Sequence, residues 1–376
     1  VDGRLGEMDT FKELVDKAHE KGLKVLLDLP LNHVAWEHPF RNDPDKADWF
    51  HNCGDVKNWD DPKEAECGSI FGLPDLAQEN PEVYNYLVDV SKFWMRTGID
   101  GFRLDAVKNI NFDFWPQYNK DIHEFARDEL GKNDFFLIGE CFDTRTDKVN
   151  SYQQNDMDSL FDYPLKFTAH EVLAHGGNMG ELARVLDEGN RVYQSPELMS
   201  GFLDSHDTQR FLSAAGGDKE RLSLALDFLF TINRVPSLYY GTETGMDATP
   251  PPGQENIGWP ATSRKDMEFE GSPEVRAHLT ELSRIRNGSE ALKHGSLKEM
   301  WVDEKVFAFG RNHPDQEAVV FLNNGDSHES RQVPLRPENR LIASGTVLVD
   351  ALSGQEVTVT DGKISVELAP KSARIF

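Results

Sequence analysis

The sequence predicts an α/β protein: a (β/α)8 TIM barrel, its first two strands absent from this chain, followed by an antiparallel β-sandwich domain. Three observations predict it. Six apolar strand segments alternate with helical segments from Leu23 to Asn287. Four of those strands end in charged or hydrogen-bonding side chains. From Gly295 onward the pattern changes to short strands separated by Gly-Asp, Ser-Gly and Asp-Gly turns. A doubly wound open sheet is the alternative. No G-x-G-x-x-G or G-x-x-x-x-G-K-[ST] follows any strand, which counts against its nucleotide-binding form.

Residues 8–21 form an amphipathic helix, with Phe11, Leu14, Val15 and Ala18 on one stripe and Gly22 as the stop. Residues 23–29 read as a strand too apolar to face water, tipped by Asp28-Leu29-Pro30-Leu31-Asn32-His33. Residues 34–75 are rich in Asp, Asn, Pro and Trp. That is too long for an ordinary connection, so they read as an inserted subdomain. A helix over 79–97 puts Tyr86, Val90, Phe93 and Trp94 on one side. Residues 99–108 are a strand on which Arg103 and Asp105, two apart, share a face.

A helix over 114–130 leads to an apolar strand over 135–140, ending in Glu140. A short strand over 158–163 precedes helices over 167–174 and 179–186. A strand over 198–203 ends in Asp204-Ser205-His206-Asp207. An apolar helix over 219–232 feeds a strand over 235–240, with Pro236 near its start, where it costs least. A polar loop over 241–271 holds three consecutive prolines, and Ser272-Pro273 opens a helix to Asn287. The expected domains are residues 1–33 with 76–292 for the barrel, 34–75 for the insertion and 293–376 for the β domain.

The net charge of −25, from 65 acidic and 40 basic residues, disfavours nucleic acid and anionic membrane surfaces as partners. It suits a neutral substrate and is compatible with a salt-adapted origin. No run approaches the roughly 18 apolar residues of a membrane span. The three cysteines show no metal-ligand spacing. Cys53 and Cys67 either pair in an exported protein or remain free thiols, and Cys141 stands alone. The expected location is outside the cell or in the periplasm, with the cytoplasm as alternative. Residues 1–6 read as mid-domain loop with no signal peptide.

The strand tips carry Asn32 and His33, then Arg103 and Asp105, then Glu140, then His206 and Asp207. Parallel barrels collect such tips at one face. An arginine beside a carboxylate is by itself as readily a structural ion pair as a site. No G-x-S-x-G elbow is present, and two histidines are too few for a metallohydrolase. Carboxylates with imidazoles and an arginine suit acetal cleavage. That reaction needs one acid for the leaving oxygen and one carboxylate for the oxocarbenium-like centre. Glu140, after an apolar strand, is the candidate acid, because desolvation favours its protonated form. Asp105 beside Arg103 is the candidate nucleophile.

At these residues the chain resembles the α-amylase family of glycoside hydrolases over nearly its whole length. Residues 28–33 resemble the family's third-strand motif. Leu73-Pro74-Asp75-Leu76 resembles the motif closing its inserted B domain. Residues 101–108 resemble the fourth-strand motif, Gly139-Glu140 the fifth and residues 202–207 the seventh. The resemblance implies Asp105 as nucleophile, Glu140 as acid/base and Asp207 as the third carboxylate. It implies His33 and His206 on the central sugar, Arg103 orienting Asp105, and Lys108 on the leaving-group side. It also implies Ca²⁺ held by Asn32, Asp75 and the Asn109 carbonyl. Asn109 stands where the family often has His, so that side chain's leaving-group contact is not expected to carry over.

The implied activity is retaining cleavage of α-1,4-glucosidic bonds in starch-like α-glucans. α-Glucosidase, cyclomaltodextrinase and transglycosylase remain alternatives on the same scaffold. A non-catalytic carbohydrate- or partner-binding relative is a remoter one. The family's first two strands have no counterpart here. The expectation is that a preceding segment or a separate chain supplies them, since an incomplete barrel exposes sheet edges. Trp36, Trp49, Trp59, Trp259 and Trp301 are candidates for stacking on sugars or for core packing.

Overall fold

The computed structural model describes residues 3–250 and 259–376, without the side chains of residues 259 and 260. The predicted loop at 1–6, the three prolines of the 241–271 loop and the Trp259 ring therefore lie partly or wholly outside the described residues. The chain forms two compact units, Val1–Phe161 and Asp162–Phe376.

The first unit is built on a parallel sheet in the order β1 (Leu26–Pro30), β2 (Gly101–Asp105), β3 (Phe136–Gly139) and β4 (Ser159–Leu160). Phe102, Leu104 and Leu137 are fully buried, as a strand with neighbours on both sides requires. The helix Phe114–Leu130 has the predicted bounds. It buries Trp115, Tyr118, Ile122 and Ala126, and Gly131 caps it in the left-handed region. The helix Pro81–Met95 is capped by the Asn80 side chain on the Glu82 N–H. The helix Thr146–Gln153 had no periodic signal in the sequence. The first strand corrects an expectation. It is shorter than predicted and mostly uncovered, with Leu29 buried but Leu23 and Leu26 exposed. Among the described residues β1 pairs with β2 alone, so one flank has no partner strand.

The base of this sheet is tied by Asp100. It accepts from the Val25 N–H at 2.9 Å and the Lys132 ammonium at 3.1 Å, and lies 2.7 Å from His19 Nε2. Burial pushes its carboxyl up, but these bonds outweigh burial and bring it down to about 2. A depressed carboxylate contributes stability above its unfolded value of about 3.9 and loses it as pH falls toward 2. Asp100→Asn should therefore cost about 2 kcal/mol in urea unfolding at pH 7. The difference from wild type should vanish near pH 2.

Residues 34–75 fold as short helical turns, Pro39–Asn42, Pro44–Trp49 and Pro62–Cys67, each with a proline in its first turn and a side-chain cap. Cys53 is bonded to Cys67, which decides the pairing that spacing left open. Trp49 is 5% exposed against Phe40 and Tyr86, so its place is the core and not a sugar platform.

The predicted strand over 158–163 stops at Leu160, the last residue of β4 in the first unit. Asp162 instead caps the helix Tyr163–Ala169. That helix runs on through a π-turn, His170–Ala174. β5 (Ser200–Phe202) and β6 (Val235–Ser237) pair in parallel, and the helices Met179–Val192, Lys219–Thr231 and Pro273–Asn287 contribute to the apolar core of the second unit. Buried Arg234 bonds Asp162 at 2.8 Å, and Tyr193 donates to the same carboxylate at 2.8 Å.

The C-terminal strands are β7 (Ser296–Val302), β8 (Val306–His313), β9 (Gln316–Asn323), β10 (Glu329–Pro334), β11 (Val347–Val349), β12 (Glu356–Thr358), β13 (Lys363–Leu368) and β14 (Ser372–Ile375). They pair antiparallel in the orders β14-β9-β8-β7, β10-β13 and β11-β12. Alternation explains why β8 and β9 are apolar throughout. Phe307, Phe309, Val320 and Leu322 pack on the helices of this unit, while Val306, Ala308, Val319 and Phe321 pack on β10 and β13. Among the described residues no helix is long and apolar enough to cross a membrane.

Candidate active site

The parallel register of the first unit brings two of the predicted carboxylates together. Asp28 lies opposite Arg103, and Leu104 opposite Gly139. Asp105 and Glu140 therefore leave neighbouring strands at the same level. The Glu140 N–H donates to the Leu104 carbonyl at 2.8 Å, and the Val107 N–H donates to the Glu140 carbonyl at 3.0 Å. Ala106 takes a left-handed conformation, φ 48° and ψ 43°, that turns the chain sharply after Asp105. Such backbone is costly for a residue with a side chain and concentrates at functional sites. Gly139 has no room for a side chain. A Cβ there would lie 2.2 Å from Met157 Sδ and 3.1 Å from Val107 Cγ1, both in the core.

Arg103 joins the acidic groups. Its Nη1 donates to Asp105 Oδ1 at 2.5 Å and to Asp28 Oδ1 at 2.8 Å, and its Nη2 lies 2.8 Å from Glu140 Oε2. Burial works against the guanidinium charge, but Glu140, Asp28 and Asp105 outweigh it and hold Arg103 above its ordinary value. The expected contact with Asp105 is present, and Arg103 reaches Asp28 and Glu140 as well. Asp28 was passed over as a member of the cluster. Its place opposite Arg103 follows only from strand register.

Of the remaining candidates of this unit, His33 lies within electrostatic reach of Asp105. Burial lowers the His33 imidazole, partly offset by the Asp105 charge, so His33 stays neutral near pH 7. Lys108 Nζ lies 3.5 Å from Asp143 Oδ2. Arg145 also holds Asp143, through bonds of 2.9 and 2.7 Å. Asn32, Asp75 and Asn109 are all buried and in contact. Asn32 Nδ2 is 2.7 Å from Asp75 Oδ1 and 2.6 Å from the Asn109 carbonyl. The Asn109 amide donates to the Ala65 carbonyl at 3.0 Å, which ties the strand end to residues 34–75.

The Asn32 amide presents either its nitrogen or its oxygen to these groups, depending on which way it is turned. Exchanging the ends places three hard oxygens, from Asn32, Asp75 and Asn109, at one point. It also presents Nδ2 to His33 Nδ1, now 3.2 Å from Oδ1. The donor set thus fits Ca²⁺.

His206 and Asp207 belong to the second unit. Asp207 Oδ2 is 2.8 Å from His206 Nε2, and Arg264 Nη2 donates to Oδ1 at 2.6 Å. Burial raises the Asp207 carboxyl, but His206 and Arg264 outweigh it and hold the group ionised. Arg264 went unnoticed in the sequence, because it sits in a polar loop with no periodic or motif signal.

The model of the α-amylase catalytic domain matches residues 1–284. The chain belongs to the α-amylase family. The model of the maltogenic amylase C-terminal domain matches residues 300–375 of this α-amylase family member. A β/α-amylase of Paenibacillus polymyxa is 33% identical over the whole chain, which spans 31% of that protein. Neopullulanase 2 of Thermoactinomyces vulgaris is 30% identical, again over the whole chain, which spans 63% of it. The chain thus spans less than two thirds of either curated relative. Among solved structures, the α-amylase of Geobacillus thermoleovorans, complexed with acarbose, superposes with a TM-score of 0.90 at 31% identity. That match covers 100% of this chain and 81% of the other. An Anoxybacillus α-amylase gives 0.88 at 34%, covering 98% and 79%. The fold class read from the sequence is the fold of this family.

Proposed function

We propose that the protein is a retaining glycoside hydrolase of α-1,4-linked glucans, with Asp105 as nucleophile and Glu140 as acid/base. The observation that carries this reading is the pair of carboxylates at adjacent strand ends, held on neighbouring nitrogens of Arg103. In the first step Asp105 attacks the anomeric carbon while Glu140 gives its proton to the leaving oxygen. In the second, Glu140 takes a proton from water, which displaces Asp105 from the sugar. The Arg103 contact must loosen from Glu140 as the proton is exchanged, while the bonds of Arg103 to Asp105 and Asp28 hold the guanidinium in place. Asp207 is assigned as the third carboxylate, and His33, His206 and Lys108 as sugar ligands, from their motif positions. The named family relatives support the substrate class.

The test is product analysis on starch, maltotriose and cyclodextrins, with the anomer of the first product followed by NMR. Linear oligosaccharides from starch with retained configuration are expected. Inverted product would sink the mechanism. Turnover of cyclodextrins well ahead of starch would move the assignment to a cyclomaltodextrinase, which the named relatives include.

Ca²⁺ at Asn32, Asp75 and the Asn109 carbonyl is part of the proposal. The ion would supply charge to a buried oxygen cluster and pin residues 34–75 to the sheet. Ligand linkage is worth about 2.7 kcal/mol at a hundredfold excess over Kd. Chelation should therefore lower the melting temperature by several degrees in wild type and leave Asp75→Asn unmoved. The bonded Cys53–Cys67 pair supports location outside the cytoplasm.

A further inference from the structure

The helix opening the second unit changes pitch over His170–Ala174, where it forms a π-turn. In an α-helix, residues five apart point about 140° away from each other around the axis. The wider π-turn brings position i+5 back over position i. Here that register places His175 beside His170, with ring centroids 6.0 Å apart and ring planes at 78°. Glu171 is the third member. One donor atom from each of His170, Glu171 and His175 lies within 4.8 Å of the other two.

The His170 ring carries a second observation. Its Nε2 is buried and has no hydrogen-bond partner, while the ring bonds the backbone at Gln209. A buried nitrogen without a partner is costly and calls for an explanation. An imidazole that bonds a main-chain group through one nitrogen and leaves the other free is oriented as a metal-binding histidine is. Phe211 packs edge-on against the ring at 5.7 Å and fixes its plane.

We propose that His170, Glu171 and His175 bind a divalent transition-metal ion of the zinc type. Two imidazoles and one carboxylate match the borderline-soft donors such ions take, whereas Ca²⁺ takes oxygens. Bonds of about 2.0–2.2 Å require the donors to close in from their present spread. Glu171 and His175 are exposed and free to turn, so the closure falls on them and not on the packed His170 ring. The fourth position is left for water. His175 also lines a polar cleft of about 370 Å³ with Arg221, Glu304, Lys305 and Asp326, which gives an ion access from solvent. The opposing charges are Lys166, which burial brings down to about 8, and, along the cleft, Arg221 and Lys305, which are paired with Asp326 and Glu329. Binding would staple the π-turn.

The test uses the whole chain in calcium-containing buffer at pH 8, with ZnCl₂ titrated against a chromogenic chelator. One Zn²⁺ per chain is expected, with a rise in melting temperature. His175→Ala should weaken binding at least tenfold and Glu171→Gln several-fold. His294→Ala, an exposed histidine that does not line this cleft, should change nothing. X-ray absorption should report two imidazole nitrogens in the first coordination sphere. No stoichiometric binding, equal affinity in His175→Ala, or an equal loss in His294→Ala would each overturn the proposal.

Discussion

Replacing Glu140 by Gln should reduce starch hydrolysis by about 10²- to 10⁴-fold, the contribution a positioned general acid makes. The change is isosteric, and the amide oxygen can still accept from Arg103, which now bonds Glu140 Oε2 at 2.8 Å. Folding and affinity for a non-hydrolysed α-glucan should therefore survive. The loss should appear in kcat and depend on the leaving group. An activated aryl glycoside, whose departing oxygen needs no proton, should lose less than starch in the first step. Undiminished turnover would refute the assignment of Glu140. An equal loss on both substrates would point to a structural role.

The largest effect on stability is expected at Asp162. Its carboxylate is the charge partner of Arg234, whose side chain is 0% exposed, and it also accepts from Tyr193 and caps the helix Tyr163–Ala169. Removing one member of a buried pair leaves the other charge desolvated and uncompensated, at a cost of about 3–5 kcal/mol. Asp162→Ala should lower the melting temperature by about 10 °C on that basis. Replacing both members by apolar residues of similar volume should recover much of the loss. If Asp162→Ala melts within a degree or two of wild type, Arg234 has found water or another partner.

The parts of the fold that were legible are those where one signal decides the outcome. The helix Phe114–Leu130 kept its bounds because its apolar stripe, proline and terminal glycine agree. Asp105 and Glu140 were legible as a pair because parallel strands deliver their tips to one edge. That Arg103 touches Glu140 and Asp28 besides Asp105 was not legible, since an arginine reaches across strands and the neighbouring sequence does not say how far. The Trp49 ring was left open between sugar platform and core and proved to be core, because composition alone does not separate the two. The π-turn at His170–Ala174 was read as plain helix, as a single inserted residue leaves the apolar stripe nearly intact. Leu23 and Leu26 read as buried for their apolarity, but burial depends on a neighbouring strand that no local pattern reveals.

Gly139 sets a limit on how this site can be remodelled. The Met157 sulfur and the methyl groups of Met157 and Val107 packed beneath it obstruct even one added carbon, and Glu140 follows directly. The gap separating proton donor from nucleophile is thereby fixed by main chain resting on core. Directed evolution that seeks a wider gap, to admit water for single-step inversion, has no foothold at position 139. It would first have to hollow out Met157 and Val107 below, trading rigidity for reach.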